Sequence, residues 1–196
     1  MTMKRIVLTG GPAAGKSRVC EALAAADPHG IFHVREAATQ VYSKLGSRWD
    51  RMDDHNRRDA QRRIYALQSA QEARAAAAAR PDQILLLDRG TVDGAAYWPD
   101  GPDAYWQDLN TNLAAELARY DAVIWLETSA ALGIYDGDKS NPVRFEAADA
   151  AIESGRLLQR LWGGHPNLQT VAAFPRIEQK IAAVSALLDS LRNLHV

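Results

Sequence analysis

A short glycine-rich segment near the N-terminus has the spacing that binds phosphate groups. Residues 10–17 have the sequence GGPAAGKS, which matches G-x-x-x-x-G-K-[S/T] at every fixed position. The glycines let the backbone curl so that successive N–H groups point at phosphate oxygens, and the following helix adds the positive end of its dipole. Lys16 is expected to bridge the β- and γ-phosphates, and Ser17 is expected to bind Mg²⁺. The segment therefore predicts a P-loop that holds Mg²⁺ and a nucleoside triphosphate, either ATP or GTP. The residues expected to contact this nucleotide are Gly10, Gly11, Pro12, Ala13, Ala14, Gly15, Lys16, Ser17 and Arg18.

A second group of polar residues, Asp88-Arg89-Gly90, follows the most apolar run of the chain. In a parallel sheet, ligands bind outside the carboxyl ends of the strands, so Asp88 lies near the P-loop if the two strands are neighbours. Asp88 can then hold Mg²⁺ directly or through water, and Arg89 can reach a phosphate. The alternative is a strand-end aspartate that only caps the next helix.

Two further residues are candidates for the transfer of a phosphoryl group. Glu36 follows the second predicted strand and can accept a proton from an attacking hydroxyl group. Arg144 follows the loop-like residues 133–142 and can close over the triphosphate to stabilise developing charge. The alternatives are a glutamate favoured by a helix start and an exposed arginine paired with Glu146.

The positions of these residues depend on an alternation of short apolar runs and longer helical patterns. Apolar runs that do not alternate with polar residues favour strands of a parallel sheet covered on both faces. The strands are predicted at residues 4–9, 31–35, 83–88, 122–127 and 168–172. Helices are predicted at residues 16–26, 37–45, 52–80, 102–120, 145–162 and 176–194. The charged residues 52–80 are expected to present mostly a solvated face. This order predicts a three-layer α/β/α sandwich.

Composition excludes several other classes of protein. The 196 residues carry a formal net charge of -1, which gives no reason to expect a nucleic acid or an anionic membrane as partner. No apolar run approaches the roughly 18 residues needed to span a bilayer. Cys20 is the one cysteine, so we expect a reduced core residue and a cytoplasmic protein. The five histidines show no metal-ligand spacing, so no zinc site is predicted.

Nearly the whole chain resembles the P-loop nucleoside and nucleotide kinases. The closest resemblance is to the predicted AAA-type ATPases and kinases related to the ribosylnicotinamide kinase domain. It rests on GGPAAGKS, on REAA at 35–38 and on DRGTVDGAAY at 88–97. It implies a five-stranded parallel sheet and one ATP–Mg²⁺ domain spanning residues 1–196, with a lid-like segment at about 133–162. The residues it places around the reaction are Lys16, Ser17, Glu36, Asp88, Arg89 and Arg144.

Two functions stay open at this point. The first is an ATP-dependent phosphotransferase that acts on a nucleoside, a nucleotide or a cofactor precursor. The second is a P-loop ATPase or GTPase that couples hydrolysis to a protein partner, and it draws on the lone lid arginine and the charged residues 52–80. The absence of an N-K-x-D sequence disfavours a regulatory GTPase. An acceptor pocket is expected beyond strands two and three, and its candidate residues are Arg48, Trp49, Arg51, Asp93, Tyr97 and Trp98.

Overall fold

The architecture comes from a computed structural model that describes residues 3–132 and 148–193. Five strands form one sheet, in which every neighbouring pair is parallel. The strands are β1 (Lys4–Gly10), β2 (Ile31–Val34), β3 (Ile84–Asp88), β4 (Ala122–Leu126) and β5 (Leu168–Val171). Their order across the sheet is β2-β3-β1-β4-β5. The predicted five-stranded parallel sheet is confirmed, and β1 and β3 are direct neighbours.

Seven α-helices and three 3-10 helices occupy the described residues. The α-helices are α1 (Lys16–Ala26), α2 (Ala37–Leu45), α3 (Asp54–Ala78), α4 (Pro102–Asp108), α5 (Leu113–Leu117), α6 (Ala148–Trp162) and α7 (Ile177–Asn193). The 3-10 helices are Trp49–Arg51, Thr91–Tyr97 and Ser129–Leu132. In the described part of the chain, no helix is both long enough and apolar enough to cross a membrane.

Alternate residues of the central strand β1 contribute to different faces of the sheet. Ile6 and Leu8 belong to a core shared with α1 and α7, and Cys20 is buried there as predicted. Val7 belongs to a second core that includes residues of α3, α4, α5 and α6. Because β3 and β4 are buried at every position, both faces of the sheet are covered by helices. This arrangement confirms the three-layer sandwich.

The prediction of a single helix at residues 102–120 is wrong. The chain instead forms the two short helices α4 and α5. Asn110 lies between them with a φ of 52°, a left-handed conformation that asparagine tolerates better than most residues. The side chain of Asn112 then accepts a hydrogen bond from Ala115 N at 2.9 Å and begins α5. Asparagine favours such caps because its side chain satisfies an orphan helix N–H group.

Helix α3 is shorter than the predicted residues 52–80, and its inner face is more polar than expected. It begins where the side chain of Asp53 accepts a hydrogen bond from Asn56 N at 2.8 Å. Its arginines are exposed or half-buried, as a solvated face requires, but Gln61, Gln68 and Glu72 are buried. These three side chains face the rest of the molecule because they find hydrogen-bond partners there, which the charge pattern alone does not reveal.

Candidate functional site

The P-loop of residues 10–17 joins β1 to α1 and depends on glycine at two positions. Gly10 has a φ of 139°, and a Cβ placed there would lie 2.2 Å from the carbonyl oxygen of Leu126. Gly15 precedes α1 with a φ of 85°, which is a left-handed conformation. Glycine adopts both conformations at little cost. The loop therefore passes close to the end of β4 and then turns directly into the helix.

Lys16 lies across the loop to which it belongs. Its side chain is 7% exposed, and its Nζ atom donates hydrogen bonds to the carbonyl oxygens of Gly10 and Gly11, each at 2.8 Å. The charge of Lys16 therefore lies against the P-loop backbone, whose N–H groups are expected to point at the phosphates. Such a combination of an ammonium group and backbone donors suits a phosphate chain.

Asp88 meets the P-loop because β1 and β3 are neighbours, with Leu8 paired to Asp88 in the register. The carboxyl group is 1% exposed, and its Oδ1 atom has no hydrogen-bond partner among the described residues. Burial, and next the charge of Glu36, raise the pKa of Asp88 to about 6. A hydrogen bond from the Ser17 side chain to the carboxyl group acts to lower the pKa of Asp88. An orphaned carboxylate oxygen beside a serine hydroxyl fits Mg²⁺, which prefers oxygen ligands.

Arg89 turns towards carboxylates, whereas the sequence favoured a free guanidinium group near a phosphate. Its Nε atom donates to Glu36 Oε1 at 2.5 Å, and its Nη1 atom donates to Asp93 Oδ1 at 2.8 Å. The backbone has a φ of 76°, which is strained for a residue other than glycine. The other carboxylate oxygen of Glu36 accepts a hydrogen bond from the Thr39 hydroxyl at 2.6 Å. Arg89 therefore orients Glu36 at the end of β2.

Asp93, a candidate for the acceptor pocket, is held by four partners, one of which is the backbone N–H group of Gly90 at 3.3 Å. Besides Arg89, Thr9 Oγ1 donates to its Oδ1 atom at 2.9 Å, and Trp162 Nε1 donates to its Oδ2 atom at 3.1 Å. These residues come from β1 and α6, so Asp93 connects the sheet to the lid-like segment. The carboxylate of Asp93 therefore has a structural role, because it neutralises the charge of the buried Arg89 side chain.

A cavity of about 40 Å³ lies beyond the ends of β2 and β3, where the acceptor pocket was predicted. Arg89 lines it, whereas Glu36, the ion-pair partner of Arg89, does not. Trp49 and Tyr97, both predicted there, line it and make an edge-to-face contact with ring centroids 6.4 Å apart. Its polar lining residues include Tyr42, Gln61, Gln68, Arg89, Thr91 and Asp93.

The other candidates for the acceptor pocket have different roles in the structure. Trp98 is buried and packs against Tyr105 with ring centroids 5.4 Å apart. Arg48 forms an ion pair with Asp50 at 2.7 Å. Arg51 is exposed on the 3-10 helix Trp49–Arg51. Of the six candidates, three line the cavity: Trp49, Asp93 and Tyr97.

An open cleft of about 1020 Å³ lies on the other side of Glu36. Ser17, Arg18, Glu36 and Asp88 all line it. Arg18 is exposed there, one residue beyond the P-loop proper. The cleft therefore brings together the predicted Mg²⁺ ligands and the predicted proton acceptor.

Part of the lid-like segment packs against the P-loop. A Cβ placed on Gly155 of α6 would lie 3.5 Å from the Cα atom of Gly11. The carbonyl oxygen of Gly155 accepts a hydrogen bond from Trp125 Nε1 at 3.1 Å, which holds α6 over β4. Arg144 lies outside the described residues, as does the loop at 133–142.

Four residues at the site were missed by the sequence analysis. Gln61 and Gln68 line the cavity, while Thr128 and Lys180 donate hydrogen bonds to P-loop carbonyl groups. Thr128 could have been found because it follows β4 at the ligand-binding edge of the sheet. The others sit in ordinary helical patterns, and no local spacing distinguishes them.

The family comparison agrees with this geometry. A family model described as an AAA domain matches residues 5–180 of the chain. No curated protein sequence gives a significant match.

Solved structures with the same fold include a deoxyadenosine kinase, a thymidylate kinase and the NadR protein. A deoxyadenosine kinase from M. mycoides, with the products dCMP and dCDP bound, has a TM-score of 0.67 at 14% identity, over 95% of this chain and 99% of that one. The thymidylate kinase from Candida albicans has a TM-score of 0.63 at 14% identity, over 100% and 96%. The NadR protein in complex with NAD and AMP-PNP has a TM-score of 0.65 at 14% identity, over 99% of this chain and 51% of that one. At these identities the likeness shows a common fold.

Proposed function

Given that the chain belongs to the AAA domain family, we propose that it transfers the γ-phosphoryl group of ATP to a hydroxyl group of a small metabolite. The observation that carries this proposal is the position of Glu36. It lines the cleft that contains Ser17 and Asp88, and it pairs at 2.5 Å with Arg89, which lines the cavity beyond β2 and β3. A hydrolase needs only water as acceptor, whereas a separate lined cavity suits a second substrate.

The P-loop and its lysine bind the triphosphate in this proposal. Backbone N–H groups of residues 10–17 donate to the phosphate oxygens, and Lys16 exchanges its carbonyl partners for the β- and γ-phosphates. Ser17 and Asp88 hold Mg²⁺, which neutralises charge on the transferred group when it is bound. The protein thus lowers the barrier mainly by positioning and by charge stabilisation. GTP stays an alternative donor, because no described residue at the site distinguishes the two bases.

Glu36 orients the acceptor and takes up its proton. The hydroxyl oxygen attacks the γ-phosphorus atom, the bond to the bridging oxygen of ADP breaks, and the hydroxyl proton passes to the carboxylate. Arg89 keeps the carboxylate in place through its Nε atom. Because this transition state is largely dissociative, the reaction does not require a strong base. Arg144 is proposed to close over the phosphates, as its place after a loop in the sequence suggests.

The charges around the cavity favour an acceptor without a phosphate group. Among the described lining residues Arg89 is the one cation, and both Glu36 and Asp93 already pair with it. Asp50 and Asp93 are the two carboxylates of the lining, and Asp50 pairs with Arg48. A phosphate dianion would meet these carboxylates without an available arginine, whereas aromatic rings and glutamine amides suit an uncharged ring with hydroxyl groups. We therefore propose a nucleoside or a nucleoside-like cofactor precursor rather than a nucleotide.

The test is ADP release from the purified protein with Mg²⁺-ATP, alone and with separate pools of nucleosides, nucleoside monophosphates and cofactor precursors. We expect stimulation by nucleosides or precursors and none by monophosphates. Lys16→Ala should abolish the stimulation. Stimulation by monophosphates alone would overturn the acceptor class but keep the phosphotransferase.

Turnover that Lys16→Ala abolishes but no pool changes would overturn the phosphotransferase in favour of a hydrolase. The charged helix α3 gives little support to the alternative of a hydrolase coupled to a protein partner. Arg58 and Arg62 pair within the chain with Asp100 and Asp108, at 2.7 Å and 2.6 Å, so this part of its charge already has partners.

A further inference from the structure

A buried lysine of the last helix contacts the P-loop from the opposite side to the phosphate site. Lys180 lies on α7 and is 2% exposed. Its Nζ atom donates hydrogen bonds to the carbonyl oxygen of Ala14 at 2.9 Å and to that of Glu127 at 2.8 Å. These two carbonyl groups belong to the P-loop and to the end of β4. A single ammonium group therefore joins three elements that meet at the nucleotide edge of the sheet.

The contact with Ala14 determines where a neighbouring N–H group points. The Ala14 carbonyl and the Gly15 N–H belong to one planar trans peptide unit, so they point in opposite directions. Since Lys180 holds the carbonyl oxygen outside the loop, the Gly15 N–H is turned into the loop. The Ala14 N–H is used differently, because it donates to Gly11 O at 3.3 Å. In the described structure the Gly15 N–H donates to no backbone carbonyl, so it is available for an anion.

The burial of Lys180 makes this contact strong. Burial lowers the pKa of Lys180 to about 8, which keeps most molecules protonated at neutral pH. A protonated amine forms charge-assisted hydrogen bonds, which are roughly twice as strong as neutral ones. Ile177, one turn earlier on α7, also lies against the loop, since a Cβ on Gly15 would come within 2.8 Å of its Cδ1 atom. Helix α7 thus supports the P-loop by packing as well as by hydrogen bonding.

We propose that Lys180 is a positioning residue for nucleotide binding: it fixes the Ala14–Gly15 peptide so that the Gly15 N–H faces the phosphate chain. The inference rests on the proposed binding of a nucleotide at the P-loop, but the orientation of the peptide can be measured without nucleotide. Lys180 itself touches no substrate, because it lies behind the loop. Its effect should appear in phosphate affinity and not in the choice of acceptor.

The chain offers a matched control in Lys4. Its Nζ atom also donates to a carbonyl group of α7, that of Leu191, at 2.6 Å. Lys4 lies at the start of β1, at the other end of the sheet from the P-loop. Each of the substitutions Lys4→Met and Lys180→Met therefore removes a lysine hydrogen bond between α7 and another element. Only the Lys180 hydrogen bond reaches the nucleotide site.

The first experiment compares amide resonances of the unliganded proteins by ¹H–¹⁵N NMR. In Lys180→Met we expect the Gly15 amide resonance to shift, while Lys4→Met leaves it unchanged. An unchanged Gly15 amide in a folded Lys180→Met protein would overturn the inference. If Lys180→Met does not fold, Lys180→Arg serves instead, because a guanidinium group keeps the donors but alters their geometry, and an unaltered Gly15 amide is again the contrary result.

The second experiment measures Kd for Mg²⁺-ATP by calorimetry. We expect Lys180→Met to raise Kd by about tenfold, the size of effect that a hydrogen bond to a charged group can carry. Lys180→Arg should recover part of the loss, and Lys4→Met should match the wild type. Equal Kd values for Lys180→Met and wild type would overturn the inference. If the wild type does not bind Mg²⁺-ATP, the proposed function fails, and the Gly15 amide alone decides the role of Lys180.

Discussion

At the scale of single residues, the site contains a carboxyl group whose burial opposes folding. Asp88 is enclosed beside the P-loop with one oxygen atom unbonded within the described structure, and its pKa rises to about 6. A cation bound at this oxygen would offset that cost. Active sites commonly contain residues that serve function at the expense of stability.

Replacing Asp88 with asparagine should stabilise the metal-free protein at neutral pH. The pKa is 3.8 in an unperturbed aspartate and about 6 here, so the folded state binds more protons between those values and loses stability as pH rises through them. We expect Asp88→Asn to raise the free energy of unfolding at pH 7 by about 3 kcal/mol, from roughly two pKa units, and by much less at pH 4. Urea unfolding without Mg²⁺ measures both values, and a gain independent of pH would contradict the assignment. Phosphoryl transfer by the variant should be lost.

Glu36 can be separated from nucleotide binding by a conservative change. In Glu36→Gln we expect kcat to fall by at least about 100-fold, because the side chain can no longer take up the hydroxyl proton. Kd for Mg²⁺-ATP should hardly change, since Arg89 and Thr39, which hydrogen-bond to Glu36, both lie outside the P-loop. Glu21→Gln is the control, as Glu21 lines the same cleft without pairing to Arg89. Steady-state kinetics with the stimulating acceptor measure kcat for both variants. Equal kcat values for Glu36→Gln and Glu21→Gln would exclude a role of Glu36 in phosphoryl transfer.

At the scale of elements, the loop after β3 is held by a buried polar network from two helices. Glu116 of α5 accepts hydrogen bonds from Thr91 at 2.6 Å and from Tyr65 at 2.8 Å. Gln68 of α3 donates to the backbone carbonyl oxygen of Arg89 at 3.1 Å. These contacts hold the backbone around Arg89 in its left-handed conformation. Helix α3 therefore does more for the site than its charged sequence indicates.

The ion pair between Glu72 and Arg119 should be the most sensitive part of this network. Arg119 Nη2 lies 2.8 Å from Glu72 Oε2, and the Glu72 side chain is 2% exposed. We expect Arg119→Leu to lower the free energy of unfolding by about 3 kcal/mol, because it leaves a buried carboxylate without its cation. Adding Glu72→Gln should recover part of this loss in a double-mutant cycle.

The matched control for this ion pair is Arg63→Leu on α3. Arg63 pairs with Asp59 at 2.9 Å, but both side chains are exposed. Such pairs contribute less than about 1 kcal/mol. Similar losses for Arg119→Leu and Arg63→Leu would show that the buried network does not depend on its charge.

At the scale of the whole molecule, folding and nucleotide binding should be linked. The P-loop lies between both cores, since α1 packs in one and α6 covers the loop from the other. At Mg²⁺-ATP concentrations near 100 times Kd, we expect the unfolding free energy to rise by about 2.7 kcal/mol. Thermal unfolding with and without nucleotide measures this shift. Lys16→Ala should abolish it, and a shift of equal size in that variant would place the nucleotide elsewhere.

The local sequence was sufficient for the elements around the P-loop. Helices α1 and α2 have the predicted bounds, because spacing, apolar runs and glycine positions all act within a few residues. The five strands also form where predicted, each with one end shifted by one residue. Asp88 was placed correctly beside the loop because a strand-end residue must lie at the carboxyl edge of a parallel sheet.

Only the tertiary structure decided which side chains meet at that edge. Arg89 pairs with Glu36 across 53 positions of the chain, and Lys180 reaches Ala14 across 166. Neither contact has a local pattern, because an arginine after a strand or a lysine in a helix has the same sequence neighbourhood whether its side chain faces water or a buried partner. The direction of such a side chain depends on the elements packed against it. The P-loop and the sheet were therefore predictable from the sequence, whereas the partners of Arg89, the cavity and the support by α7 follow from packing.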